Sequence, residues 1–451
     1  MMRSLYSGVA GLKTHQTRMD VIGNNIANVN TTAYKSQSMT FSDLMYQTTQ
    51  AASGANPTTG VGGTNARQIG LGAKTSAIKT AITTQGASQT TNDPFDIMIT
   101  GDSFFIVNNG QNNYFTRDGS FYVDGAGNLA MTSTGYNVMG WQVDPNDASA
   151  IKQDTVSALR VMTTENMTYP PEATKSARIS GIIDKNDTNV NATAGKIMNL
   201  EFYDNQGYKY TAKLSVHSTT TDGSFTVQLD DILDSKGKTV LADKTKASLQ
   251  QNNTNVTAPV LEFDLKNGSF KNVGTAGGTE STLTLHFDTG TFPSFTDITI
   301  DFSKCSNLNN NGSSTVSPIR GDAKGNGAGR KVGEMSGIEI QKDGMIYANY
   351  DNGCSRLLGQ IAVATFANAS GLAKEGDNLY SATQNSGDFD GIGTDITTGG
   401  GYMNTGVLEM SNVDLSSEFT EMITTQRGFQ ANSRIITVSD TLLEELTNLK
   451  R

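Results

Sequence analysis

The residues in this sequence that could do chemistry are few, and their spacings fall short of the sites they suggest. Gly325, Gly327 and Gly329 in the run GNGAGRK have the composition of a loop that cradles phosphate through its amide N–H groups. Such a loop needs a strand before it and a helix after it. The surrounding pattern offers neither, so a flexible linker is expected. Gly70 to Thr75 (GLGAKT) misses the Walker spacing. Asp388, Asp390 and Asp395 supply hard oxygen ligands of the kind Ca²⁺ takes, without the EF-hand spacing. His217 or His286 with a nearby serine and aspartate can be drawn as a nucleophilic triad, but a triad is defined by geometry, and scattered serines are cheap in this chain. Cys305 and Cys354 form no CxxC pair, and His15, His217 and His286 have no metal-ligand spacing. Cys354 reads as a small core residue, and Cys305 at most as a cross-link between neighbours. No catalytic, cofactor-binding or metal-binding residue is assigned. The expectation is a protein that is not an enzyme and carries no cofactor.

The patterned residues lie at the two chain ends, and helices must position them. From Ser411 to Arg451 the only glycine is Gly428 and proline is absent. Leu415, Phe419, Met422, Phe429 and Ile436, then Val438, Leu442, Leu446 and Leu449, recur at steps of three, four and seven, with a slight drift midway. Ser411 with Asp414 reads as a capping box for the helix start. At the other end Leu5, Val9, Leu12, Met19, Ile22 and Ile26 make a second stripe, interrupted by Gln16 and diluted by Gly8, Gly11 and Gly23. Each glycine costs a helix about 1 kcal/mol relative to alanine. This N-terminal helix should therefore be ordered by packing, on the C-terminal helix, on neighbouring molecules, or on both.

Composition limits the partners. The net charge of −10 comes without any basic cluster, which argues against nucleic acid and against anionic membrane surfaces. No apolar run approaches the ~20 residues of a membrane span, and the N-terminus has no apolar core of a cleaved leader. The low cysteine content and abundant Gly, Thr, Asn and Ser suit an exported, turn-rich β protein. Export is expected without a cleaved signal peptide, with no membrane insertion.

Between the ends the pattern is β. The first helix should stop near residues 27–32, where Asn and Thr favour turns, and Ala33 to Met45 continues with moderate amphipathicity. Residues 53–73 lack a periodic apolar face and read as a Gly-rich linker or arm. Short apolar runs follow at 95–99, 104–107, 121–123 and 128–131, punctuated by Asn109-Gly110, Asp118-Gly119 and Asp124-Gly125, and Trp141 closes this block. Residues 146–335 read as a separate unit, with alternation at Leu200, Phe202, Tyr208, Tyr210, Leu214 and Val216 and again near Leu261, Leu283 and Ile298. An antiparallel barrel or sandwich, in one domain or two, is expected there, with residues 306–333 as a loose return connection. Strands resume from Ile338. The fold class is α+β, and the layout is nested. It comprises 1–52 helical, 53–73 linker, 74–145 first half of a central β domain, 146–335 inserted, 336–402 its second half, and 403–451 helical.

The opening SLYSGVAGL with MDVIGNNIANVNTTAYKSQ, and the ending GVLEMSNVDLSSEFTEMITTQRGFQANSRIITVSDTLLEELTNLKR, resemble the terminal signatures of the bacterial flagellar rod and hook family. Between them, DIMITGDSFFIVNNGQNNYFTRDGSFYVDGAGNLAMTSTGYNVMGW and GQIAVATFANASGLAKEGDNLYSAT resemble the two halves of that family's central β domain. The likeness covers roughly residues 1–145 and the last 115. Four motifs in one order are far more specific than any single short one. The insertion favours a hook subunit over the shorter distal-rod subunit.

The resemblance implies a subunit of a hollow helical homopolymer, with the terminal helices paired as a coiled-coil-like unit near the channel and the β domains outside. It implies a curved, flexible tube that passes motor torque to the filament as a universal joint. Its partners would be the distal rod, a hook cap during assembly, the hook–filament junction proteins, and the type III export apparatus. Carried onto this chain, Leu5, Val9, Leu12, Met19, Ile22 and Ile26 should bury against Leu415, Phe419, Met422, Phe429 and Ile436, with Leu442, Leu446 and Leu449 extending the contact. Asn24, Asn25 and Asn28 match the NNIAN segment, and Gln426, Arg427, Gln430 and Asn432 the QRGFQAN segment, as polar groups for register and subunit packing. Gly428 departs from the alanine common in hook relatives and should loosen that turn. Two other readings are a distal-rod subunit and a secreted β-rich binding protein whose helical ends dimerise.

Overall fold

The structure, a computed structural model, describes residues 2–449 except 55–59, 61, 146 and 242. Pro57 in the Gly-rich stretch, the Asn146 boundary, and Lys450 and Arg451 at the end of the helical segment lie outside the described residues. The chain is α+β, with two long helices, α1 (Met2–Ala27) and α2 (Leu415–Asn448), and many mostly antiparallel strands between them. It divides into two compact units. The first comprises residues 1–163, 338–348 and 356–451, and the second comprises 164–337 and 349–355.

In the first unit α1 ends where Asn24, Asn25 and Asn28 cluster, and the Asn28 amide side chain donates back to the Asn24 carbonyl at 2.9 Å. Residues after the helix do not continue as helix. Gln37–Asp43 pairs antiparallel with Ala73–Thr80, and Tyr46–Gln50 with Arg67–Gly70, so both flanks of the Gly-rich stretch belong to one long hairpin. Alternating Thr, Ser and Gln with single aromatics suits an exposed ribbon, a pattern too polar to stand out in sequence. The central sheet runs from residues 359–361 through Asn137–Asp144, Phe104–Asn108 and Asn113–Thr116 to Leu379–Ser381 and Ala373–Gly376. Distant segments thus interleave around one core of Phe104, Ile106, Phe115, Trp141, Leu372 and Tyr380. The Trp141 indole N–H donates to the Ile392 carbonyl at 2.9 Å.

The second unit has a six-stranded and a five-stranded sheet that share one core, including Leu200, Phe202, Leu214, Val227, Leu285, Phe287 and Ile300. Lys196–Tyr203 and Lys209–Ser218 form a hairpin whose turn is held by Asp204, with Oδ1 accepting from the Gln206 and Tyr208 amides at 3.0 and 2.8 Å. One pairing departs from the antiparallel expectation. Ser176–Ile183 runs parallel to Ile298–Asn307, because strands far apart in sequence need no tight turn. The expected loose connection at 306–333 also contains a strand, Ser317–Arg320, at the edge beside Ser176–Ile183. Pro318 is tolerated there because an edge strand leaves one row of backbone groups unpaired.

Candidate functional site

None of the drawn chemical sites assembles. Asp322 Oδ1 accepts from the amides of Lys324 and Asn326, and the Gly327 carbonyl from those of Lys175 and Ser176, so the glycine run is a closed turn. Lys74 and Thr75 lie within a strand. Asp390 caps the Ile392 and Gly393 amides, and Asp395 caps the Ile396–Gly399 turn and accepts from Gln360. His286 Nδ1 lies 2.8 Å from Asp297, but its cross-strand neighbour Ser248 donates to Asn255 instead. His217 meets only the Ser215 hydroxyl at 3.0 Å, with no carboxylate completing a relay among the described residues. Cys305 is buried with its thiol on the Ile179 carbonyl, and burial pushes that thiol up to about 12, so it is no cross-linking group. Cys354 is buried as well.

What the fold does build is a pair of terminal helices. The N-cap of α2 is Asp414, whose carboxylate accepts from Ser416 and Ser417; Ser411 instead receives the Val413 amide. The capping box read at Ser411 is thus corrected by three residues, since Asp414, with an extended backbone, is the residue whose carboxylate accepts from the first-turn amides. At 34 residues α2 is about 51 Å long. It runs antiparallel to α1, with Asn25 near Glu418, Arg18 near Glu421, His15 near Gly428 and Gly8 near Ile436.

The surfaces in contact take only part of the apolar stripes, Met422, Phe429 and Ile436 among them. On α1 the seam is Gly8, Gly11, His15, Arg18 and Asn25, at steps of three and four or their sum. On α2, Glu418, Met422, Thr425, Phe429, Asn432, Ile436 and Ser439 are buried or half-buried at alternating steps of four and three. Every seventh residue from Glu418 is therefore polar or small, and every seventh from Met422 is apolar. Glycine has a use here beyond lowering helicity. A Cβ on Gly8 would meet Ile436 Cγ1 at 3.3 Å, and one on Gly11 would meet the Asn432 amide at 2.9 Å, so the glycines let the backbones approach. The other side of α1 packs on the hairpin, where His15 meets the Phe41 ring edge-on at 5.5 Å and Arg18 lies over it at 5.3 Å.

The residues assigned to subunit packing divide accordingly. Ile22 is buried, and Leu5, Leu12, Met19, Ile26, Met422, Phe429 and Ile436 are half-buried. Val9, Leu415, Phe419, Leu442, Leu446 and Leu449 face solvent in the single chain, joined by Ile423, Ile435 and Val438. These exposed residues do not bury against one another within one chain. On a helix of 3.6 residues per turn, the patch Leu415, Phe419, Ile423 and the patch Ile435, Val438, Leu442, Leu446 point well over a third of a turn apart. Gln426, Arg427 and Gln430 are exposed, and Asn432 is half-buried, its amide donating to the Gly428 carbonyl. Asn25 is fully buried and does the most. Its amide donates to the Gln37 carbonyl and to Glu418, and its oxygen accepts from the Gln37 N–H at 2.9 Å. Burial raises the Glu418 carboxyl above its usual range against the opposing effect of that bond.

Sequence reasoning missed the groups that fasten the helices to the β core. Lys35 Nζ lies 2.6 Å from Glu409 Oε1, and Arg117 Nη1 lies 3.7 Å from Glu409 Oε2, all three side chains 0% exposed. Glu409 also accepts from the Gly86 amide, Lys35 donates to the Thr84 carbonyl, and Arg117 donates to the Gly101 carbonyl. Burial lowers both cations, with Glu409 pulling the other way. Asn412, just before α2, accepts from the Ser36 amide and donates to the Ala81 and Thr84 carbonyls. Nothing local in the sequence marks these three charged residues, since Lys35 and Glu409 lie 374 positions apart.

Comparison with known proteins gives the same regions a family. Residues 5–35 match the family described as flagella basal body rod protein, 98–180 the flagellar hook protein FlgE/F/G D1 domain, and 404–449 the flagellar basal body rod FlgEFG protein C-terminal region. The flagellar hook protein FlgE of Borreliella burgdorferi is 37% identical and that of Treponema pallidum 35% identical, each match covering 100% of both chains. The flagellar basal-body rod protein FlgG of Bacillus subtilis is 30% identical, also over 100% of both. The crystal structure of Helicobacter pylori flagellar hook protein FlgE2 matches 70% of this chain and 99% of its own, with 15% identity and a TM-score of 0.40, too distant to carry residue-level argument. No helix among the described residues is long and apolar enough to cross a membrane. On full-length identity to two hook proteins, the chain belongs to the flagellar hook protein family.

Proposed function

We propose that this chain is the structural subunit of a flagellar hook, self-assembling into a hollow, curved and flexible tube that carries torque from motor to filament. The observation that carries the reading is the exposed apolar surface of the terminal helices, above all Ile435, Val438, Leu442 and Leu446. Covering the exposed half of each such side chain is worth about 1 kcal/mol, so one helix gains several kcal/mol when neighbouring copies enclose it. Segments 1–52 and 403–451 would form the axial core, with terminal helices from neighbouring copies packed as coiled-coil-like layers. The outer unit, two sheets on one core, would be a sandwich on the tube's exterior. Its acidic, Thr- and Asn-rich surface suits wet contacts that exchange partners as the tube bends. The expected partners are the distal rod, a hook cap, the hook–filament junction proteins and the type III export apparatus, with the assembled product outside the cell.

A distal-rod subunit is the second reading, favoured by the full-length match to FlgG of Bacillus subtilis. Electron microscopy of the assembled chain separates the two, since a hook gives curved tubes and a rod straight ones. The assembly surface is tested by Leu442→Asp with Leu446→Asp. The expected result is loss of tubes with the Trp141 emission of the folded core retained; tubes that persist would overturn the reading.

A further inference from the structure

Gly428 and His15 form a matched pair across the helix seam. The imidazole occupies the space a side chain on α2 would fill, since a Cβ on Gly428 would lie 2.6 Å from His15 Cε1 and 2.8 Å from Nε2. The ring also meets Phe41 of the hairpin edge-on, whose centroid is 5.5 Å away. His15 Nδ1 is buried and has no hydrogen-bond partner, and the Thr425 hydroxyl in the same seam is likewise buried and unpartnered. The ring is thus held against Gly428, with its Nδ1 buried where no acceptor meets it.

We infer that the slot between Gly428 and Phe41 makes pairing of the two terminal helices depend on a neutral His15, so that mild acid loosens the seam. The charged neighbours act in one direction. Burial, and after it the charge of Arg18 one turn later on α1, holds the imidazole below its ordinary value. On α2 the nearest carboxylate, Glu421, is already paired with Arg18 at 3.0 Å. The hairpin presents Phe41, Gly72 and Ala73 at this place, none of them ionisable. A second positive charge would therefore enter beside a first, with no acceptor for the buried Nδ1. A histidine held low in the folded state contributes stability that is present above its unfolded value and is lost as pH falls through the folded one. Glu418, three turns along the same seam, works in the opposite sense: its raised carboxyl favours pairing as pH falls, so the two must be separated by substitution.

The inference concerns pairing within one chain and stands whether or not the chain builds a hook. It is tested by amide hydrogen exchange of the full-length chain, free and in any sedimented assembly, reading peptides from residues 2–27 and 415–448 between pH 7.5 and pH 5 with the intrinsic pH dependence of exchange removed. In a Glu418→Gln background, protection of both helices is expected to fall several-fold towards pH 5, and His15→Gln is expected to abolish that fall. Gly428→Ala, which evicts the ring from its slot, is expected to lower protection at every pH and flatten the dependence. A pH dependence unchanged by His15→Gln, no dependence in the parent, or helices unprotected in both forms would overturn the inference.

Discussion

Replacing Glu409 by glutamine keeps an oxygen for the Gly86 amide and removes the negative charge in contact with both Lys35 and Arg117, leaving only the weaker pull of Asp102. Both cations are 0% exposed, so neither can turn to water, and the nearest substitutes are the carbonyls of Thr84 and Gly101 that they already use. Breaking a buried pair by removing one partner typically costs about 3–5 kcal/mol, because a charge is left without compensation. At ~1.4 kcal/mol per tenfold, that raises the unfolded fraction of this unit by roughly two to three and a half powers of ten. With a urea slope of about 3 kcal/mol/M, the midpoint should move down by about 1–1.7 M with the slope unchanged. Trp141 is the only tryptophan and sits in the core of the same unit, so its emission reports the transition without interference from the second unit. A downward shift below about 0.3 M would refute the argument, and would mean that the two cations are neutralised or hydrated by another route.

Asp414→Ala should destabilise the start of α2 by about 1 kcal/mol through loss of the two amide contacts, read as faster proteolysis near residues 415–420 with Trp141 emission unchanged. Cys305, its thiol held up to about 12, should resist alkylation at pH 8 in the folded chain and react at the ordinary rate once urea unfolds the second unit. Rapid modification of the native chain would contradict the burial described for it.

The helices were legible because a period of three and four residues survives any tertiary context that leaves one face apolar. What the period could not say was which face meets which. The eye follows Leu415, Phe419, Leu442 and Leu446, whereas the seam uses Gly8, Gly11, Thr425, Asn432 and Ser439, residues usually scored as breaks in a pattern. Small and polar groups permit close approach and register, while Leu415, Phe419, Leu442 and Leu446 stay exposed in the single chain. The hairpin at 37–80 escaped notice because its strands are exposed and polar, so no alternation marks them. The Lys35–Glu409–Arg117 cluster had no local signal at all. Its members are distant in sequence, and only closure of the fold turns three ordinary charged residues into a buried set.

Lys35 and Glu409 are separated by 374 positions, which sets an order of events for folding. Whichever end of the chain organises first, its charge cannot be dehydrated until the other end arrives. Premature closure of the central sheet is thereby penalised, and completion is rewarded only when head and tail are both present. The salt cluster acts as a proofreading step for folding, holding back half-formed molecules.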